Sequence, residues 1–144
     1  MKILLPIDGS AAALEAVRHA IQLAGAGLQA EFVLANVQAP ANLYELVSTP
    51  DAATLEEVAL AAGRHALADA ETLLRSAGLA FDSEIASGDP GNMLLDIAER
   101  FGCDLIVMQT GGASDLRQAL LGSVSHSVLH GAVVPVMLVK AIGD

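Results

Sequence analysis

The sequence predicts an α/β fold in which a parallel sheet lies buried between two layers of helices, and three observations carry that prediction. Five short apolar runs alternate with longer segments of helical period, the order of repeated strand-helix-strand units. The runs are nearly continuous rather than alternating in polarity, so both faces of each strand meet helices. Finally, 144 residues of which 53% are hydrophobic match one domain, 1–144, with ample material for a buried core.

The strands are expected at residues 2–7, 31–37, 81–86, 104–108 and 136–139. Between the first two, Leu14, Val17, Ile21 and Ala24 fall on one helical face while Glu15, Arg18 and Gln22 point away, with Ser10 as N-cap and Gly25 as stop. A longer irregular loop, "APANLYELVSTP", fills 39–50. The second helix is expected from about Asp51 to Ala77, burying Leu55, Val58, Ala62, Ala66, Ala70 and Leu73 and ending at Gly78. Its acids Glu56, Glu57, Asp69 and Glu71 lie mainly off that stripe, an ordinary solvated face. Asp89-Pro90 reads as N-cap and first residue of a third helix that buries Leu94, Ile97 and Phe101 and stops at Gly102. A fourth helix opens at Gly122-Ser123.

Composition removes several classes of function. Seventeen acids against seven bases give a formal charge of −10, and no Lys/Arg cluster is available to neutralise a nucleic-acid backbone or an anionic membrane. The aromatic residues are only Phe32, Tyr44, Phe81 and Phe101, too few for a base-stacking platform. Pro6 and Asp8 interrupt the first apolar run well short of a signal-peptide core or a membrane span, so a cytoplasmic protein is expected. Cys103 is the single cysteine, which leaves no internal disulfide and no cysteine-based metal site; it reads as a small buried hydrophobe.

Ligands of such sheets bind beyond the C-terminal ends of the strands, where strand order reverses. Four loops are therefore in play: 6–10, 37–40, 87–90 and 109–125. In the last, "VMQTGGASDLRQALLGSVS", Gly111 and Gly112 free backbone N–H groups, and the helix opening at Gly122, Ser123, Val124 and Ser125 aims its positive end at the same place. That is the chemistry of an anion site. A glycine-containing loop before a serine-capped helix also occurs in proteins that bind no phosphate, so spacing alone leaves both readings open.

Three segments add a resemblance. "ILLPIDGSAAALEAVRHAIQLA", "SGDPGNMLLDIAERFGCDLIVM" and "LLGSVSHSVLHGAVVPVMLV" resemble the opening, middle and end of the universal stress protein family, in the family's order and over essentially the whole chain. The resemblance implies a Rossmann-like three-layer sandwich, a five-stranded parallel sheet of order 3-2-1-4-5, and a cytoplasmic, often dimeric stress-response protein. Family members that bind ATP carry G-x-x-G, nine residues, then G-[ST]. On that pattern, Asp8 takes the place of the adenosine-contacting aspartate and Val37 that of the adenine-contacting valine, while Gly112, Gly122 and Ser123 take the last three motif positions. Pro6, Val124 and Ser125 flank these positions and complete the expected site.

The chain departs from the pattern at two places. Gln109 stands at the first motif glycine, and Ala113 stands where a basic residue is frequent, leaving Arg117 as the loop's only base. A side chain at 109 fills space that glycine leaves open to a phosphate. The expected function is thus a regulatory module with a degenerate ATP loop and at most very weak ATPase activity. The alternative is a stress protein that binds no nucleotide and works through protein contacts. A weaker alternative is an adenylating or other nucleotide-dependent enzyme, but "PIDGSAAAL" lacks the phosphate loop such enzymes place after the first strand.

Smaller signals count for little. His126 and His130 are four apart on the last helix without an evident third ligand, so no metal-specific site is expected. Ser123, His126 and Asp115 have the residue types of a hydrolytic triad, but "LGSVS" lacks the second glycine of a nucleophile elbow. The last strand, "PVMLV", is short and apolar and is expected at a sheet edge, where it would join two copies as a homodimer.

Overall fold

Side chains of alternating direction along each strand sort the core into two layers, one on each face of a single sheet. The structure, a computed structural model, describes residues 1–39, 52–110 and 122–140. These residues form β1 (Lys2–Pro6), α1 (Ala11–Gly25), β2 (Glu31–Gln38), α2 (Ala52–Ser76), β3 (Phe81–Ser87), α3 (Pro90–Arg100), β4 (Leu105–Gln109), α4 (Ser123–Gly131) and β5 (Val136–Val139). All neighbouring strands run parallel, in the order β3-β2-β1-β4-β5. The α/β architecture and the strand order are those expected from the sequence.

Ile3 and Leu5 of β1, Phe32 and Leu34 of β2 and Val107 of β4 meet α1 and α2, whereas Leu4, Val33, Ala35, Ile106 and Met108 meet α3 and α4. Two-sided burial explains why the strands read as unbroken apolar runs. Strand ends move by a residue: β1 stops at Pro6, β2 and β3 extend to Gln38 and Ser87, and β4 covers Leu105–Gln109 instead of 104–108. Gln109, read as the start of a loop, is thus the last residue of a central strand, paired with Val139. Most of the expected loop 39–50 lies outside the described residues.

The helices require two corrections. In α1 the fully buried face is Ala13, Ala16, Val17 and Ala20, while Leu14 and Ile21 pack at its margin. Small residues take the centre because they let the helix backbone approach the sheet. In α2 the buried line is Gly63, Leu67, Ala70 and Leu74; of the expected stripe Ala70 is buried, Leu55, Ala66 and Leu73 are half-buried, and Ala62 and Val58 are exposed, Val58 to 61%. Gly63 explains the difference: a Cβ there would lie 2.5 Å from Ile85 Cγ2, so bare helix backbone rests on β3. The caps fall where they were read. Ser10 Oγ accepts from Ala13 N at 3.2 Å, and Asp89 Oδ2 from Asn92 N at 3.0 Å. Leu94 and Ile97 of α3 are buried; Phe101, its C-cap, is half-buried against the same cluster.

Candidate functional site

Strand order reverses between β1 and β4, with β1 leading to β2 on one side and β4 to β5 on the other. Beyond the C-terminal ends of these two strands the crossovers diverge to opposite faces and leave a crevice. Gly9, at φ +86°, turns the chain sharply between β1 and α1, a conformation that suits glycine. The turn holds Asp8 at the crevice: Oδ1 accepts from Ser10 N at 2.9 Å, while Oδ2 accepts from Gln109 Nε2 at 3.4 Å. A residue after β1 and the last residue of β4, 101 positions apart, therefore meet across the switch point.

Gln109 is itself held from the other side. Ser125 Oγ, buried in the first turn of α4, donates to the Gln109 backbone carbonyl at 2.7 Å. The chain is tied to the same corner by Gly122 N, which donates to Thr110 O at 2.7 Å. Gly122 is the N-cap, with extended φ/ψ of −66° and 158°, and as a glycine it offers the helix no side-chain cap. The N–H groups of Ser123, Val124 and Ser125 thus begin α4 without intrahelical acceptors, at its positive end.

The expected residues divide accordingly. Asp8, Gln109 and Ser125 are joined by hydrogen bonds, and Gly122 and Ser123 begin α4 beside them, with the Ser123 side chain exposed. Pro6 is buried at the end of β1 opposite Ala35 of β2. Val37 and Val124 are half-buried against the core cluster of the α3/α4 face. Gly112 lies outside the described residues, as do Gly111, Ala113, Asp115 and Arg117. The His126 and His130 rings meet at a tilt of 60° with centroids 4.4 Å apart, and among the described residues no group of three or more His, Cys, Asp or Glu forms a metal cage.

Two residues of this corner escaped the sequence reading. Asn36 is buried, its Nδ2 donating to Ile7 O at 2.8 Å and its Oδ1 accepting from Gln38 Nε2 at 2.6 Å. The first of these bonds ties β2 to the chain just past β1, where Ile7 N also donates to Ala35 O at 2.8 Å. A single amide in the otherwise apolar "FVLANV" was the available signal.

Comparison with known proteins settles the family. The family model described as the universal stress protein family matches residues 1–140. The chain belongs to that family. It is 34% identical over 139 residues to the universal stress protein MJ0531 of Methanocaldococcus jannaschii, covering 96% of this chain and 81% of that protein. The solved structure of MJ0577, from the same organism, superposes with a TM-score of 0.83 at 27% identity, covering 99% of this chain and 97% of the other. A universal stress protein solved in complex with cAMP matches at TM-score 0.66 and 26% identity, over 97% of this chain and 96% of that one.

Proposed function

We propose that this universal stress protein is a regulatory module of the cytoplasm that holds an adenine nucleotide across the C-terminal ends of β1, β2 and β4 and does not turn it over beyond a very weak ATPase rate. The observation that carries this reading is the Asp8–Gln109 contact at the switch point, beside the start of α4, whose N-cap is the glycine Gly122. Asp8 supplies an acceptor for the nucleoside, Val37 and Pro6 an apolar flank, and the N-terminal turn of α4, with Gly112 before it, donors for a phosphate. The family relative bound to cAMP supports an adenine ligand.

The site of this chain is weakened toward ATP. Gln109 brings a buried side chain to the first glycine position of the family's loop, and Ala113 brings no charge. The double substitution Gln109→Gly with Ala113→Arg empties that space and adds a charge-assisted contact worth about 1.5–3 kcal/mol. Calorimetric titration should show it binding ATP roughly tenfold or more tighter than the wild type, since about 1.4 kcal/mol is a factor of ten. Ser123→Ala on that background should remove part of the gain. Equal ATP affinity in wild type and double mutant would favour the second reading, a stress protein that works through protein contacts without nucleotide, which the buried Gln109 side chain also suits. In either case the working unit is a homodimer joined along β5, one of the two edge strands of the sheet.

A further inference from the structure

Gln109 carries an unfinished hydrogen bond. Its side chain sits in a residue only 6% exposed, and its Nε2 reaches Asp8 Oδ2 at 3.4 Å. Its Oε1 is buried and accepts from no donor among the described residues. The carboxamide is not free to turn over, because the flipped amide would set Oε1 against the Asp8 carboxylate, acceptor on acceptor. The unsatisfied atom is therefore an acceptor, and a buried acceptor without a donor is destabilising. Three polar side chains of these strand ends and of α4 direct a donor elsewhere: Asn36 to Ile7 O, Gln38 to Asn36 Oδ1 and Ser125 to the Gln109 carbonyl.

We propose that Asp8 and Gln109 form an acceptor pair that receives two hydrogen-bond donors from a bound nucleoside, and that Gln109 thereby makes a nucleoside monophosphate, rather than a triphosphate, the preferred ligand. The proposal rests on the adenine-nucleotide reading above and deepens it. Two parts of an adenine nucleotide offer paired donors, the ribose 2′,3′-diol and the exocyclic amino group; the shared chemistry is a pair of O–H or N–H groups. A phosphate offers only acceptors and negative charge, so none is favoured against Asp8 and Gln109 Oε1. One phosphate fits at the start of α4 with the nucleoside donors on the pair. A triphosphate must extend its charge into the space that Gln109 fills, in a chain that already carries −10.

The test is calorimetric titration of AMP, ATP, 2′-deoxy-AMP and IMP into wild type, Gln109→Gly and Gln109→Leu, with thermal melts of each protein without ligand. The wild type should bind AMP roughly tenfold or more tighter than ATP, a difference of about 1.4 kcal/mol or greater. Gln109→Gly should lose that preference. Gln109→Leu should weaken AMP roughly tenfold without lowering the melting temperature, because the orphaned acceptor leaves with the amide. If the leucine variant does not fold, Gln109→Met, unbranched and of similar length, takes its place. A loss with 2′-deoxy-AMP assigns the donors to the ribose, and a loss with IMP assigns them to the amino group. The Gln109 assignment is overturned if AMP binds wild type and Gln109→Leu equally, if the AMP-to-ATP ratio is the same in Gln109→Gly, or if 2′-deoxy-AMP and IMP both bind as tightly as AMP. Absence of all nucleotide binding in every variant would instead remove the adenine-nucleotide reading, and this proposal with it.

Discussion

Asp8 shows how one side chain serves the turn and the site at once. It accepts from Ser10 N within its own loop and from Gln109 Nε2 across the sheet. Asp8→Ala removes both bonds, costing about 1 kcal/mol for the lost cap-like bond and more for the buried amide it orphans. Asp8→Asn keeps an acceptor for Ser10 and should recover the Ser10 part of the loss in a thermal melt, while nucleotide binding falls in both variants if the carboxylate receives a ligand donor. Cys103 gives a residue-scale prediction of a different kind. Burial pushes its thiol pKa up, Lys2 opposes the shift and Asp104 adds to it. The unfolded chain then loses its thiol proton first, so stability is fully present below the ordinary thiol range and is lost as pH rises toward the raised value. The stability difference between wild type and Cys103→Ala, measured by urea unfolding, should shrink across that alkaline window and stay constant below it. Sequence reading found Asp8 and Gln109 separately, from the strand end and the motif. Their contact was not legible, because it depends on which strands lie side by side and on β4 running one residue further than its apolar run suggests.

Among the elements, α2 separates what periodicity reveals from what it hides. Its existence, its length, its place between β2 and β3 and the burial of Ala70 were readable, but Val58 and Ala62 are exposed and Gly63 and Leu67 are buried in their place. Alanine and glycine carry little apolar signal of their own, so a helix rich in alanine presents two neighbouring faces of similar hydropathy. The choice between them is made by shape: Gly63 is the position where backbone meets Ile85 of β3. Helix propensity alone favours Gly63→Ala by about 1 kcal/mol. Contact geometry opposes it, because the new Cβ would fall 2.5 Å from Ile85 Cγ2 and 3.0 Å from Cδ1, on a β-branched side chain with little rotamer freedom. Overpacking of this kind costs about 1–3 kcal/mol, so the variant should be net destabilised in chemical unfolding. Ile85→Ala on the same background should restore part of the loss, giving a favourable coupling in a double-mutant cycle. Independent additivity of the two substitutions would show that α2 shifts freely over the sheet.

At the scale of the whole molecule, the two edges of the sheet are chemically unlike. β3, one edge, carries Asp82 and Ser83 exposed and Glu84 half-buried, while β5, the other, is Val-Met-Leu-Val, half-buried throughout. Charge on an edge discourages strand addition, and an apolar edge invites it, which favours β5 as the seam of a homodimer. The ladder identifies the groups involved. Pro135 O accepts from Ile106 N and Val139 O from Thr110 N, so the odd-numbered residues of β5 face β4. The N–H and C=O groups of Val136 and Leu138 consequently point outward. Val136→Pro removes one outward donor at the first residue of the strand, where proline is tolerated, and should dissociate a dimer while leaving the fold intact. Met137→Pro, one residue on, strikes the inward ladder and should lower the melting temperature instead. Charge adds a second handle: each copy carries −10, so association works against repulsion that salt screens. Sedimentation at micromolar concentration should show a dimer that tightens as ionic strength rises and is weakened by Val136→Pro. A wild-type monomer of 14.7 kDa at every salt concentration would exclude the β5 seam and leave each copy to act alone.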